Sequence, residues 1–349
     1  MVRREHLRKL LNSLYILSED RYLTLDGENI VIKSEEEEDK RYPLHMIENI
    51  ISFSYKGASP ALIGKCVENN IGIAFFTPHG KFLTKASGKM HGNVLLRKEQ
   101  YRISDDENRS CIYARNMITG KIYNGRWILE RMCRDHSEII NVEKLKAVSG
   151  EMYQKLPEIR KISDLGTLRG IEGELATRYF SVFDDMILNQ REDFRFNGRN
   201  RRPPKDYVNA LLSFAYTMLS LDCANALESV GLDSYVGFLH RDRPGRASFA
   251  LDLMEELRPL MGDKFVLSLI NLKKIKKEHF VVQGDEAILL NDEGRKVFFT
   301  AWQNKKIEEI KHPFLGEKVQ WGLVPYVQAL LLARTIRGDL DEYPPFLWK

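Results

Sequence analysis

The sequence predicts an α+β protein of two domains, a small β-rich N-terminal domain over residues 1–91 and a larger all-helical domain over residues 92–349. Three observations lead there. Two hairpin signals fall within the first ninety residues, helical spacing of apolar residues takes over after about residue 92, and 349 residues suffice for two separate cores. The hydrophobic share of 43% and charged share of 29% are those of an ordinary globular protein. No apolar run approaches the roughly 18 residues of a membrane span, so no membrane partner is expected.

The elements follow in order. MVRREHLRKLLNSLYILSEDRY begins basic and turns apolar. Asn12 and Ser13 interrupt the apolar part, and Ser18, Glu19 and Asp20 close it without a small-residue cleavage site, so it reads as the first strand rather than a leader. YLTLDGENIVIK is a hairpin turning at Asp26-Gly27, and IGIAFFTPHGKFLT repeats that logic around Pro78, His79 and Gly80. Glu35 to Asp39 form a solvated loop. SPALIGKCVENN is a short helix stopped by Asn69 and Asn70. DDENRSCIYARNMITGKIYNGRWILERMCRDH is one long helix or two shorter ones, with acids at its start and bases near its end. A shorter element follows in the 150s and early 160s. A helix then runs through LGTLRGIEGELATRYFSVFD to about Leu188. Residues 189–206 are a basic loop in which Pro203-Pro204 excludes helix interior, and VNALLSFAYTMLSLDCANALES is a strongly apolar core helix. A further helix begins near Ser248.

Chemistry enters through charge and position. Cys66, Cys111, Cys133 and Cys223 form no C-x-x-C pair and no zinc spacing, which fits reduced thiols of a cytosolic protein. No glycine-rich phosphate loop or internal repeat occurs. Net charge is +4, with a pI near 8.7, which permits a nucleic-acid partner. Local clustering says more. Arg191, Arg195, Arg199, Arg201, Arg202 and Lys205 crowd the 189–206 loop. Lys273, Lys274, Lys276 and Lys277 form a second cluster, and Arg241, Arg243 and Arg246 flank His240. Any one cluster is ordinarily a solvated surface; three together favour a phosphate-rich ligand such as DNA.

Glu172 stands on the apolar stripe of its helix, with Leu168, Leu175, Ala176, Tyr179 and Phe183 at helical spacing around it. A carboxylate there is costly to bury and needs a partner, either an arginine in a structural ion pair or a metal. Glu174 points about 200° away, toward solvent. Gly170 and Gly173 are poor helix formers that would let another backbone approach. His240 closes the apolar run VGFL, where a histidine is ordinarily a turn residue. Asp252 and Glu255 are an i,i+3 pair close enough to share an ion, although Asp252, Glu255 and Glu256 also fit the solvated face of an amphipathic helix. One imidazole and several carboxylates suit Mg²⁺ or Mn²⁺, and nearby arginines suit a phosphodiester.

RGIEGELATRYF, NALLSFAYTML and GFLHRDRPGRASFALDLMEELRP, in this order and spacing, resemble the CRISPR-associated protein 1 family, the integrase of CRISPR adaptation. The ending DEYPPFLWK and the total length are similar to the type I-C branch. The resemblance implies metal ligands Glu172, His240 and Glu255, with Asp252 as a nearby acid contributing to the catalytic site. It implies a reaction in which the 3′-hydroxyl ends of a short DNA fragment attack phosphodiesters at the two ends of a CRISPR repeat, with DNA cleavage as a side activity. It also implies asymmetric homodimers, two of which flank a dimer of CRISPR-associated protein 2. Two other readings remain open from the residues alone: a stand-alone metal-dependent DNA nuclease, and a non-catalytic DNA-binding scaffold whose acids are structural pairs.

Overall fold

The computed structural model describes all residues except 1–12, 36, 48, 70, 78–81, 87–93, 201–202, 285–286 and 349. They fall into two compact units, one built from Met1–His91, Glu278–Glu309 and Gln320–Leu323, the other from Gly92–Lys277, Ile310–Val319 and Val324–Lys349. The first unit takes up Glu278–Glu309 again, far along the chain, and the cause lies in the aromatic residues described below.

The first unit begins with β1 (Ser13–Ile16), β2 (Tyr22–Asp26), β3 (Asn29–Lys33), β4 (Lys40–Pro43) and β5 (Asn49–Ser52), then α1 (Pro60–Glu68), β6 (Gly72–Phe76) and β7 (Phe82–Ala86). β2 and β3 pair with Asp26 opposite Asn29, so the predicted hairpin turns at Gly27–Glu28. β4 extends this into a three-stranded antiparallel sheet. The second hairpin also forms, β6 with β7; its tip at residues 78–81 lies outside the described residues. The second sheet has the order β1-β5-β6-β7, parallel across its first three strands. Ile16, Leu23, Ile30, Ile50, Leu62 and Ile73 interlock as the core. Ser59 caps α1 by accepting the Leu62 N–H at 3.2 Å, and Asn69 ends it.

The second unit is helical: α2 (Val94–Asp105), α3 (Glu107–Asp135), α4 (Val142–Ile159), α5 (Leu165–Ser181), α6 (Tyr207–Ser229), α7 (Ser248–Leu257) and α8 (Lys264–Asn271). α3 is a single 29-residue helix whose N-cap Asp106 accepts from the Asn108 and Arg109 N–H groups. α4 is longer than expected at 18 residues, and α5 stops at Ser181, seven residues before Leu188. The Asp184 carboxylate accepts the Phe196 N–H at 2.8 Å and starts the basic loop there. α6 is long and apolar enough to cross a membrane by length and composition, but 61% of its most apolar window is buried within the protein. Pro259, lacking an N–H, follows α7 at the start of a π-helical turn, Arg258–Asp263, before α8 resumes the regular ladder.

β8 (Phe280–Gln283), β9 (Ala287–Leu290) and α9 (Asp292–Ile307) then return to the first unit. α9 buries Phe298, Phe299 and Trp302, an apolar face that requires a core of its own. Tyr15 of β1 stacks on Phe299 at 4.3 Å between centroids and Phe53, just past β5, lies 5.4 Å from it, so aromatic side chains at the β1 and β5 strands supply that core. α10 (Val324–Ile336) and the segment after it rejoin the helical unit.

Candidate metal centre

Glu172 on α5 and Glu255 on α7 are joined by a residue that lies outside the sequence motifs, and His240, in the turn before α7, lies beside Glu255. Lys121, midway along α3, pairs through Nζ with Glu172 Oε1 and stands 2.8 Å from Glu255 Oε2. Glu255 Oε1 lies 2.7 Å from Arg258 and 3.9 Å from His240 Nε2. Burial pushes the Glu255 carboxyl up, yet the charges of Arg258, Lys121 and His240 outweigh it and hold the group at about 2.

Two expectations about Glu172 change. The buried residues of α5 are Leu165, Leu168, Ile171, Leu175 and Tyr179, so Glu172 sits at the margin of the apolar stripe rather than its centre. Its side chain keeps 26% exposure, which leaves the carboxylate accessible from solvent. Gly170 and Gly173 are exposed, and nothing lies within 4 Å of where a Cβ would stand on either, so no backbone approaches there. Glu174 is exposed as expected.

The acids of α7 are not a solvated face. Asp252, Glu255 and Glu256 are all buried, and each has a different task. Asp252 is taken up by the turn before α7. It accepts the N–H groups of Phe238, Leu239 and His240 at 2.6, 2.9 and 3.0 Å, and His240 Nδ1 lies 2.6 Å from its Oδ1. A carboxylate can only accept here, so Nδ1 carries a proton, and Nε2 is the ring atom turned toward Glu255. Asp252 is therefore a positioning residue for His240. The turn is tied down further: Arg169 donates twice to the Leu239 carbonyl, at 3.0 and 2.8 Å, and Ser104 donates to the Gly237 carbonyl at 2.8 Å. Gly237 must be glycine, since a Cβ there would lie 2.8 Å from the His240 carbonyl oxygen and 2.9 Å from Asp252 Oδ2.

Glu256 fastens α7 from behind. It accepts from the Tyr343 hydroxyl, from Gln328 Nε2 at 2.9 Å and from the Phe346 N–H at 2.8 Å. Asn124 of α3 donates to the Glu256 and Phe346 carbonyls and accepts the Trp348 N–H. At Gly120 the two helices touch so closely that a Cβ would lie 2.8 Å from Glu256 Cβ. Burial pushes the Glu256 carboxyl up to about 7 against these three donors. A folded value above the ordinary 4.5 means that the stability Glu256 contributes is complete below pH 4.5 and falls as pH rises through 7. Glu256→Gln removes that titration. The melting temperature of the variant relative to wild type is expected to climb between pH 5 and 7.5, and a flat difference across that range would count against the assignment.

The donor set fits a divalent ion by its chemistry. An imidazole and two carboxylates are donor types that suit such an ion; Lys121 links Glu172 to Glu255, and His240 Nε2 lies 3.9 Å from Glu255 Oε1. Glu255 Oε2 is buried and makes no well-oriented hydrogen bond despite its contact with Lys121. Among the described residues no three His, Cys, Asp or Glu side chains converge as a ready-made cation site, because the Lys121 ammonium stands between Glu172 and Glu255. Lys121 and Arg258 had a sequence signal of the same kind as Glu172. Lys121 interrupts an apolar helix between Ile118 and Ile122, and Arg258 lies i+3 from Glu255.

The basic clusters divide. Arg191, Arg195, Lys205, Lys273, Lys274, Lys276 and Lys277 are exposed, as are Arg241 and Arg243, while Arg246 is half-buried. Arg199 turns inward: it donates to Ser213 and Asn209 on α6 and to the Asn200 carbonyl, and its guanidinium lies 5.2 Å from the Tyr216 ring, so it shapes the loop. Arg201 and Arg202 lie outside the described residues. The two exposed clusters are zipped together. Asn271 accepts the Leu188 N–H and donates to the Met186 carbonyl, and Gln190 donates to the Ile270 and Ile275 carbonyls. Gln190 and Lys273 both take left-handed backbone angles, with φ of 58° and 54°, to permit this.

The sequence model of the family described as CRISPR associated protein Cas1 matches residues 14–304. A protein of Chlorobaculum tepidum named CRISPR-associated endonuclease Cas1 1 is 46% identical over 98% of this chain and 100% of its own length. Among solved structures, a casposase bound to integration product superposes with a TM-score of 0.82 at 22% identity, over 97% of this chain and 94% of that one. A Cas6-RT-Cas1–Cas2 complex superposes with a TM-score of 0.80 at 21% identity, over 97% of this chain and 36% of that one. These two share the fold. With matched residues covering most of its length and a full-length relative at 46% identity, the chain belongs to the CRISPR associated protein Cas1 family.

Proposed function

We propose that this chain is a divalent-metal-dependent DNA integrase of CRISPR adaptation, with DNA endonuclease activity as its side reaction. The observation that carries the reading is that Lys121 ties Glu172 to Glu255, with His240 beside Glu255, in a chain 46% identical to a Cas1 relative over 98% of its length. The relative's name supports cleavage of phosphodiesters. The casposase bound to integration product shares the fold, and so does the Cas1 of the complex with Cas2. Glu172, His240 Nε2 and Glu255 would hold Mg²⁺ or Mn²⁺, which when bound polarises the phosphoryl oxygen and offsets charge on the attacking and leaving oxygens. The chain's own residues do the rest. Asp252 fixes the His240 tautomer, Arg258 neutralises the second oxygen of Glu255, and Arg241 and Arg243 stand exposed beside His240 to position a DNA backbone.

The finer reading is a type I-C member working in the cytoplasm as an asymmetric homodimer, two dimers flanking a Cas2 dimer. The test of the function combines protein, Cas2 partner, Mg²⁺ or Mn²⁺, a short DNA fragment with free 3′-hydroxyls and a supercoiled plasmid bearing the repeat. Joined product is expected with wild type and lost with EDTA, with Glu172→Ala and with His240→Ala. Integration surviving either substitution would remove that residue from the site.

The zipped basic platform is the expected track for the DNA backbone. Neutralising Arg195, Lys273 and Lys274 together should weaken binding of unrelated DNA sequences alike. It should also reduce the slope of log K against log salt by about 2–3, near 0.9 for each phosphate that is no longer neutralised. An unchanged slope in a filter-binding or anisotropy titration would place the DNA elsewhere.

A further inference from the structure

Lys121 occupies the position between two carboxylates that the proposed metal would take. Its side chain is 12% exposed, and its ammonium bridges Glu172 of α5 to Glu255 of α7, one oxygen from each. The other Glu255 oxygen is already committed to Arg258. Without Lys121, two carboxylates from different helices would face one another with no cation between them, a costly arrangement at low exposure. The backbone carrying Lys121 cannot retreat, because Gly120 packs directly on Glu256 and Asn124 is bonded to the Glu256 carbonyl. The side chain can: four methylenes lead to a compact point charge that rotates as a unit.

We propose that Lys121 is the resident counter-cation of the catalytic centre, holding Glu172 and Glu255 in place until a divalent ion displaces its ammonium. The inference rests on the metal reading above. Metal binding then includes the breaking of two ion pairs, so the lysine sets a threshold on the metal concentration at which the site loads. Removing its charge should tighten metal binding while destabilising the metal-free protein, a combination that a merely structural lysine would not produce.

The experiment titrates MnCl2 alone into purified full-length protein, read by calorimetry and by the loss of free-Mn²⁺ EPR signal. Lys121→Met keeps the length and removes the charge. It is expected to bind Mn²⁺ at least tenfold tighter than wild type, to melt at a lower temperature in EDTA, and to recover most of that loss in saturating Mn²⁺. Lys121→Arg keeps the charge with a forked head that grips two carboxylates more firmly, and is expected to bind Mn²⁺ more weakly than wild type. If wild type binds Mn²⁺ and Lys121→Met binds it no tighter, the placeholder role is overturned while the metal reading stands. If neither protein binds Mn²⁺, the metal reading itself falls. Should Lys121→Met fail to fold, Lys121→Arg decides: weaker binding supports the role, and equal or tighter binding overturns it.

Discussion

Glu255→Gln is expected to abolish integration and cleavage and to unfold at markedly lower denaturant than wild type. The activity loss should reach at least about 10²–10³-fold, because a lost metal ligand removes several kcal/mol of transition-state stabilisation and each ~1.4 kcal/mol is tenfold in rate. The stability loss comes from the partners. Lys121 and Arg258, each with a side chain 12% exposed, would be left facing a neutral amide. Breaking a buried ion pair by removing one member costs about 3–5 kcal/mol. Because the carboxyl is held near 2, below its ordinary 4.5, its contribution is complete above pH 4.5 and disappears as pH falls toward 2. The gap between wild type and Glu255→Gln should therefore be widest near neutrality and close in acid. Integration assays and urea unfolding at pH 7 and pH 3 check both parts. Activity within tenfold of wild type would exclude Glu255 as a ligand.

Asp252→Ala should act through His240 rather than on the reacting atoms. It leaves the N–H groups of Phe238, Leu239 and His240 without their acceptor, two of these on residues no more than 4% exposed. Unsatisfied buried donors cost about 1–3 kcal/mol each, so a total of about 3–5 kcal/mol is expected. Freed from its carboxylate, the imidazole can adopt the other tautomer and rotate, which should lower metal affinity about 10–100-fold. Asp252→Asn keeps one acceptor oxygen and should recover much of the stability but not the affinity. A denaturant midpoint and an Mn²⁺ titration on both variants separate the two effects. Unchanged Mn²⁺ affinity in Asp252→Asn would show that the hydrogen bond to His240 Nδ1 does not govern the ligand.

Much of this was legible in the chain because the local signals were strong. Asp26-Gly27 between alternating apolar runs forced the first hairpin, and the long periodicity after residue 105 forced α3. The three motifs carried the site residues. What escaped was tertiary. Nothing local announces that Phe298, Phe299 and Trp302 will find their core beside Tyr15 and Phe53, hundreds of residues away, so the domain limits drawn from the sequence missed that return. The acids of α7 read as a solvated face because their partners arrive from elsewhere: Lys121 from α3, the backbone of residues 238–240, and Tyr343 from near the end of the chain. Glu172 was read as a carboxylate on the apolar stripe, whereas its phase is at the stripe's edge, 26% exposed.

The fastening of Glu256 has a temporal side. The Tyr343 hydroxyl and the Phe346 N–H lie 87 and 90 positions further along the chain than the carboxylate they bond. A ribosome adding roughly 5–20 residues per second needs several seconds to make that stretch. Through that interval α7 already carries Asp252 and Glu255, while Glu256 behind them still lacks these donors. The brace behind α7 is thus completed several seconds after the acids it supports have been made.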